Sequence, residues 1–147
     1  MNSQVLADFL ANELEAQKVN AVRERRVAAE IPVAKLTEAI EALKEKGLNK
    51  ISAITGLDLG DGFEVIYHLC NDEGVLLSLK TFLPRENPSV PSVTDLFPGV
   101  FLYERELIDL LGIEVEGTPH GRRYPLPDDW PEGEYPLRKD WKGLSKE

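Results

Sequence analysis

Nine of the ten prolines lie after residue 83, and this asymmetry divides the chain before any other feature is read. Proline fixes φ and removes a backbone donor, so a segment that repeats it every few residues builds neither a helix interior nor a central strand. Pro119, Pro125, Pro127, Pro131 and Pro136 repeat in this way near the C-terminus. Charge follows the same boundary: residues 1–117 carry 11 basic and 20 acidic side chains, and residues 118–147 carry six of each. The expectation is an α+β body over 1–117 and an extended C-terminal docking tail over 118–147.

Within the body, Ser3 can cap a helix over about residues 4–17, with Val5, Leu6, Phe9, Leu10 and Leu14 on one stripe. Residues 21–31 read as a strand. Val33, Leu36, Ile40 and Leu43, set between Pro32 and Gly47, predict a helix with one buried face. Residues 51–57, the alternating Phe63, Val65, Tyr67 and Leu69, and then Val75, Leu77 and Leu79 predict a meander of three antiparallel strands. Residues 82–98 read as a proline-broken loop, and residues 101–111 as a helix stopped by Gly112. The fold class is α+β: a two-layer domain with a largely antiparallel sheet and helices on one face, followed by an extended proline-rich C-terminal tail. Tyr124, Trp130 and Tyr135 give the tail aromatic anchors, so it is expected to be ordered in a complex and mobile in the free chain.

A net charge of −9 disfavours nucleic acid as a partner, because no basic surplus is left to neutralise phosphates. Cys70 is the single cysteine, too few for a disulfide or an iron–sulfur cluster held by this chain alone. The start Met1-Asn2-Ser3-Gln4 has no basic leader and no apolar run is long enough for a bilayer, which leads to the expectation of a soluble, cytoplasmic chain. Phosphate-loop, dinucleotide, zinc-protease and nucleophile-elbow patterns are missing. Gly56, Gly60 and Gly62 read as turn glycines. His68 and Cys70 share a strand face but lack further ligands, and His120 reads as a solvated loop residue. Asp128-Asp129, between Pro127 and Pro131, reads as a turn.

The helix over 101–111 holds the densest chemistry. On a helical wheel Arg105, Glu106 and Asp109 fall opposite the apolar stripe, while Glu104 falls at its edge. A carboxylate there needs a cation or several donors, and Arg122 and Arg123 are the candidates for a pair. A hydrolase using Glu104 or Asp109 as base would need a nucleophile nearby, and the sequence offers none.

The run Glu104-Arg105-Glu106-Leu-Ile-Asp109-Leu-Leu-Gly112-Ile113, then Pro119 and Arg122, then Tyr135-Pro136-Leu137-Arg138-Lys139-Asp140, resembles the 30 kDa subunit family of respiratory complex I. Respiratory members of that family belong to NADH-quinone oxidoreductase, and the family has a counterpart in energy-converting membrane-bound nickel–iron hydrogenases. Thr118 and Tyr135, where respiratory members carry or often carry His, and Tyr124, where they have an aliphatic residue, look more like the hydrogenase branch. The resemblance implies a cofactor-free subunit of a membrane complex's hydrophilic arm, on the cytoplasmic side, touching the membrane only through the complex. It implies a large catalytic-type subunit and a small iron–sulfur subunit as partners, which hold the iron–sulfur clusters and a nickel–iron centre or flavin. Glu104, Arg105, Glu106 and Asp109 would form the body's side of the tail's docking or of the subunit interface, with Arg122, Arg123, Arg138, Lys139 and Asp140 as the tail's docking residues. The alternatives are the matching 30 kDa subunit of an NADH-quinone oxidoreductase and a stand-alone acidic protein-binding module.

Overall fold

The computed structural model describes residues 1–144, which form two compact units. One comprises Met1–Ile54 and Val65–Phe82, the other Thr55–Glu64 and Leu83–Glu147. This division differs from a cut at residue 117, because the described tail residues belong to the same unit as the helix that precedes them.

In the first unit, α1 (Ser3–Asn12) is capped by Asn2 rather than Ser3, the Asn2 side chain accepting from the Val5 N–H at 2.9 Å. It stops short of residue 17, and the chain passes through Glu15, at positive φ, into β1 (Gln17–Arg23). Leu6 and Leu10 are buried as the stripe predicts, whereas Val5 is 53% exposed. The segment expected to be one strand is a hairpin: β1 runs antiparallel to β2 (Arg26–Glu30), with Arg23 opposite Arg26. Its tip, Glu24-Arg25, carries none of the Gly or Asn residues that announce a tight turn, so the sequence hides it. The helix α2 (Leu36–Glu45) buries Leu36, Ala39, Ile40 and Leu43, the positions its spacing demands.

The sheet order is β1-β2-β5-β4-β3, with β3 Lys50–Asp58, β4 Gly62–Cys70 and β5 Leu76–Pro84. β2 lies parallel to β5, placing Val27 opposite Leu77 and Ala29 opposite Leu79. The other neighbours are joined by hairpins, so the sheet is largely antiparallel, as the α+β reading requires. Among the described residues no helix is long and apolar enough to cross a membrane.

In the second unit, part of the expected 82–98 loop is ordered as β6 (Ser89–Pro91), which pairs in parallel with β7 (Glu114–Glu116), Val90 facing Val115. Pro91 is tolerated because a two-stranded sheet consists only of edges. Between the two strands, α3 (Phe101–Leu111) forms where predicted and ends at Gly112 in the left-handed conformation. Gly56 is a strand residue and not a turn glycine. A Cβ there would collide with Leu111 Cδ1 and lie 2.8 Å from Leu107 Cδ2, so its bare backbone is what lets α3 close on β3. Residues 118–144 form turns but no helix or strand.

Candidate functional site

Glu104 sits in the first turn of α3, 1% exposed, where the helix N-terminus favours a negative charge. Its Oε1 accepts from Ser92 Oγ at 2.7 Å and Thr118 Oγ1 at 3.1 Å, and its Oε2 accepts from the Val93 N–H at 2.8 Å. The expected pair with Arg122 or Arg123 is therefore absent among the described residues. Arg122 is exposed, and Arg123 donates to the Trp130 carbonyl. Three neutral donors take the place of the cation, and they come from the loop after β6 and from the residue that opens the tail. Glu104 thus ties helix, loop and tail start together.

The tail motif is held at the C-terminal end of α3 and at Asp58. Arg138 Nε donates to the Leu111 carbonyl at 2.7 Å and Leu137 N–H to the Leu110 carbonyl at 3.0 Å, so the motif satisfies acceptors that the C-terminus of α3 leaves open. The Arg138 guanidinium also lies over the rings of Tyr135 and Phe63, at 4.7 and 5.1 Å from their centroids. Lys139 contributes its backbone N–H, not its ammonium, to Asp58 Oδ2 at 2.8 Å. Asp140 meets Arg85 Nη2 at 3.2 Å, while Arg85 Nη1 meets Asp58 Oδ1 at 2.8 Å.

Asp58 and Arg85 are the site residues that sequence reasoning missed. The visible signal was the turn: Asp58 Oδ1 accepts from the Gly60 N–H at 2.8 Å, the local Asx geometry that Asp-Leu-Gly-Asp-Gly suggests. Burial opposes ionisation of the Asp58 carboxyl. The hydrogen bonds from Arg85 and from the Lys139 and Gly60 N–H groups, with the Arg85 charge, outweigh it and lower its pKa from 3.8 to about 2.

Asp109, read on the helix wheel as opposite the apolar stripe, is 7% exposed. The tail covers that side: Asp109 and Arg105 line a groove shared with Arg123, Glu132, Glu134 and Tyr135. Arg105 and Glu106 are half-buried. In the other unit, His68 and Cys70 are half-buried, and burial together with the Arg26 charge holds the His68 pKa below the usual histidine range. No group of three metal-ligating side chains occurs among the described residues. His120, Asp128 and Asp129 are exposed.

Residues 29–147, which contain both the Glu104–Asp109 and the Pro136–Asp140 motifs, match the family described as respiratory-chain NADH dehydrogenase, 30 Kd subunit. The chain belongs to this family. It is 44% identical over 94 residues to the membrane-bound hydrogenase subunit beta of Pyrococcus furiosus, covering 61% of this chain and 54% of that relative. It thus spans about half the length of that relative. With an NADH-quinone oxidoreductase subunit of Moorella thermoacetica it shares 36% identity over 116 residues, 76% of this chain and 77% of the relative. A chain in the structure of the membrane-bound sulfane sulfur reductase, an archaeal respiratory membrane complex, superposes with a TM-score of 0.85. That match has 29% identity and covers 96% of this chain and 85% of the other.

In this 30 kDa-family protein, Gly112 is required twice. Its φ is +68°, and a Cβ would lie 2.5 Å from the Tyr135 ring on which Arg138 rests. Gly117 has a similar φ of +81° with nothing within 4 Å, so it isolates the backbone cost, about 1 kcal/mol. Gly112→Ala should lower stability by clearly more than Gly117→Ala in denaturant titrations. Equal losses would mean that the Tyr135 contact contributes nothing.

Proposed function

We propose that the chain is a cofactor-free structural subunit of the hydrophilic arm of a complex I-like membrane-bound oxidoreductase of the energy-converting nickel–iron hydrogenase type. In this reading it sits on the cytoplasmic side of the membrane and docks a large catalytic-type subunit and a small iron–sulfur subunit. Those partners carry the iron–sulfur clusters and the nickel–iron centre, because Cys70, His68 and His120 are too few and too scattered in sequence to hold them. The observation that carries the reading is the likeness of 96% of the chain to a chain of a respiratory membrane complex. The 44% identity to a hydrogenase subunit favours that branch over the NADH-quinone one.

The test is to purify the tagged full chain from membranes of its source cells and follow metals and flavin through gel filtration. Iron and nickel should co-elute with it in a large particle. Flavin without nickel would move the chain to the NADH-quinone branch, and elution as a free protein without metals would overturn the subunit reading.

A further inference from the structure

The tip of the β1–β2 hairpin gathers charge of one sign. Arg23, Arg25 and Arg26 are the only arginines before residue 85, and all three are exposed. Arg23 stands directly opposite Arg26, and like charges at facing positions of two strands repel. Among the described residues none of the three forms an ion pair. Neighbouring carboxylates are committed elsewhere: Glu30 meets Lys18 Nζ at 3.5 Å, Glu73 the terminal ammonium of Met1 at 2.8 Å, and Asp72 accepts from Asn49 Nδ2 at 3.2 Å.

The tip is fixed in place. Leu76 N–H donates to the Arg25 carbonyl at 2.9 Å, and Arg26 is in register with Leu76 of β5, so little loop entropy is lost when something binds there. β1 buries none of its residues, and Val22 beside Arg23 is 55% exposed. The register of β1 is irregular on both sides of Asn20-Ala21, the kind of bulging that keeps an edge strand from pairing with another strand. What meets this hairpin therefore does so through side chains. The tip lies before residue 29, where the family match begins, so the family's motifs do not account for it.

We propose that the hairpin tip docks a carboxylate-bearing segment of a partner polypeptide, one carboxylate seated between Arg23 and Arg26 and a second taken by Arg25. A guanidinium fork matches a carboxylate with two parallel N–H groups, and an anion between Arg23 and Arg26 turns a repelling pair into a bridged one. An anionic membrane or a nucleic acid needs a broad basic face, whereas Glu24 stands among these arginines and the chain carries −9 overall. The proposal rests on the subunit reading for the partner being another subunit, and adds the chemistry of one contact.

The first test titrates the ¹⁵N-labelled full chain with a capped pentapeptide alternating glutamate and glycine, and with the same peptide carrying glutamine for glutamate. The glutamate peptide should shift the Arg23–Arg26 and Leu76 amides saturably, less so in added salt, and the glutamine peptide should not. The triple variant Arg23→Gln, Arg25→Gln, Arg26→Gln should bind at least tenfold more weakly and melt no lower than the parent. Equal shifts with both peptides, no saturable shift at the tip, a lower melt, or binding of phosphatidylserine vesicles without a peptide response would each overturn the proposal. The second test treats the membrane complex containing Arg25→Lys with a carbodiimide, which joins the introduced amine to a touching carboxylate as an amide. The crosslink should reach an Asp or Glu of another subunit. A co-eluting complex without that link, or with one only to this chain's Asp72 or Glu73, overturns the proposal and leaves the subunit reading standing; a chain that never co-elutes overturns the subunit reading, while the peptide titration still decides what the tip binds.

Discussion

Glu104→Ala should destabilise the chain by about 4 kcal/mol, or roughly 10–15 °C in Tm. The magnitude follows from what the carboxylate serves. Hydrogen bonds to a charged group are worth about 1.5–3 kcal/mol each, and the change strands the Val93 N–H and the Ser92 and Thr118 hydroxyls together. Because Ser92 Oγ also contacts Thr94 Oγ1 at 2.9 Å, part of the network can reclose, which keeps the total below a simple sum. Glu116→Gln is the control, since that exposed side chain has one contact, Ser89 Oγ at 3.2 Å. Thermal melts of the two variants should differ by most of the Glu104 effect. Similar melts would show that the loop and tail start hold their places without the carboxylate.

Asp58→Ala should cost about 3 kcal/mol, because it takes the acceptor from two backbone N–H groups and leaves Arg85 to Asp140 and the Gly60 carbonyl. The figure sits at the low end for a broken pair, as Arg85 is 27% exposed and water can reach it. Lys139→Ala should be nearly silent, since only its backbone takes part. Asp58 also sets an acid dependence. Its folded pKa of about 2 lies below the ordinary 3.8, so the stability it contributes is present above about pH 4 and is lost as pH falls toward 2. The parent should therefore weaken more steeply than Asp58→Ala between pH 4 and 2 in denaturant titrations. Parallel curves would mean that the carboxylate is not held by these partners.

Elements whose information is local were legible before the fold was known. The spacing of Leu36, Ile40 and Leu43 suffices for α2, Gly112 suffices to end α3, and alternation from Phe63 to Leu69 suffices for β4, because helix and strand periods are written in consecutive residues. The Glu104–Asp109 and Pro136–Asp140 motifs were likewise enough to recognise the family. Partnership was not legible. The wheel showed correctly that Glu104 needs donors, but a neutral Ser92, Val93 and Thr118 cradle leaves no charge pattern to read, and Arg122 and Arg123 were the visible cations. Asp58 and Lys139 are 81 residues apart, and nothing in Asp-Leu-Gly-Asp-Gly marks the free Oδ2 that their bond uses. The wheel set Asp109 opposite the apolar stripe but could not show what covers it, because a helix wheel knows only its own helix, whereas the tail closes over that face. These contacts come into being only when distant segments meet in the folded chain. Burial and hydrogen-bond satisfaction depend on which distant segment arrives, while periodicity depends only on the residues next in line.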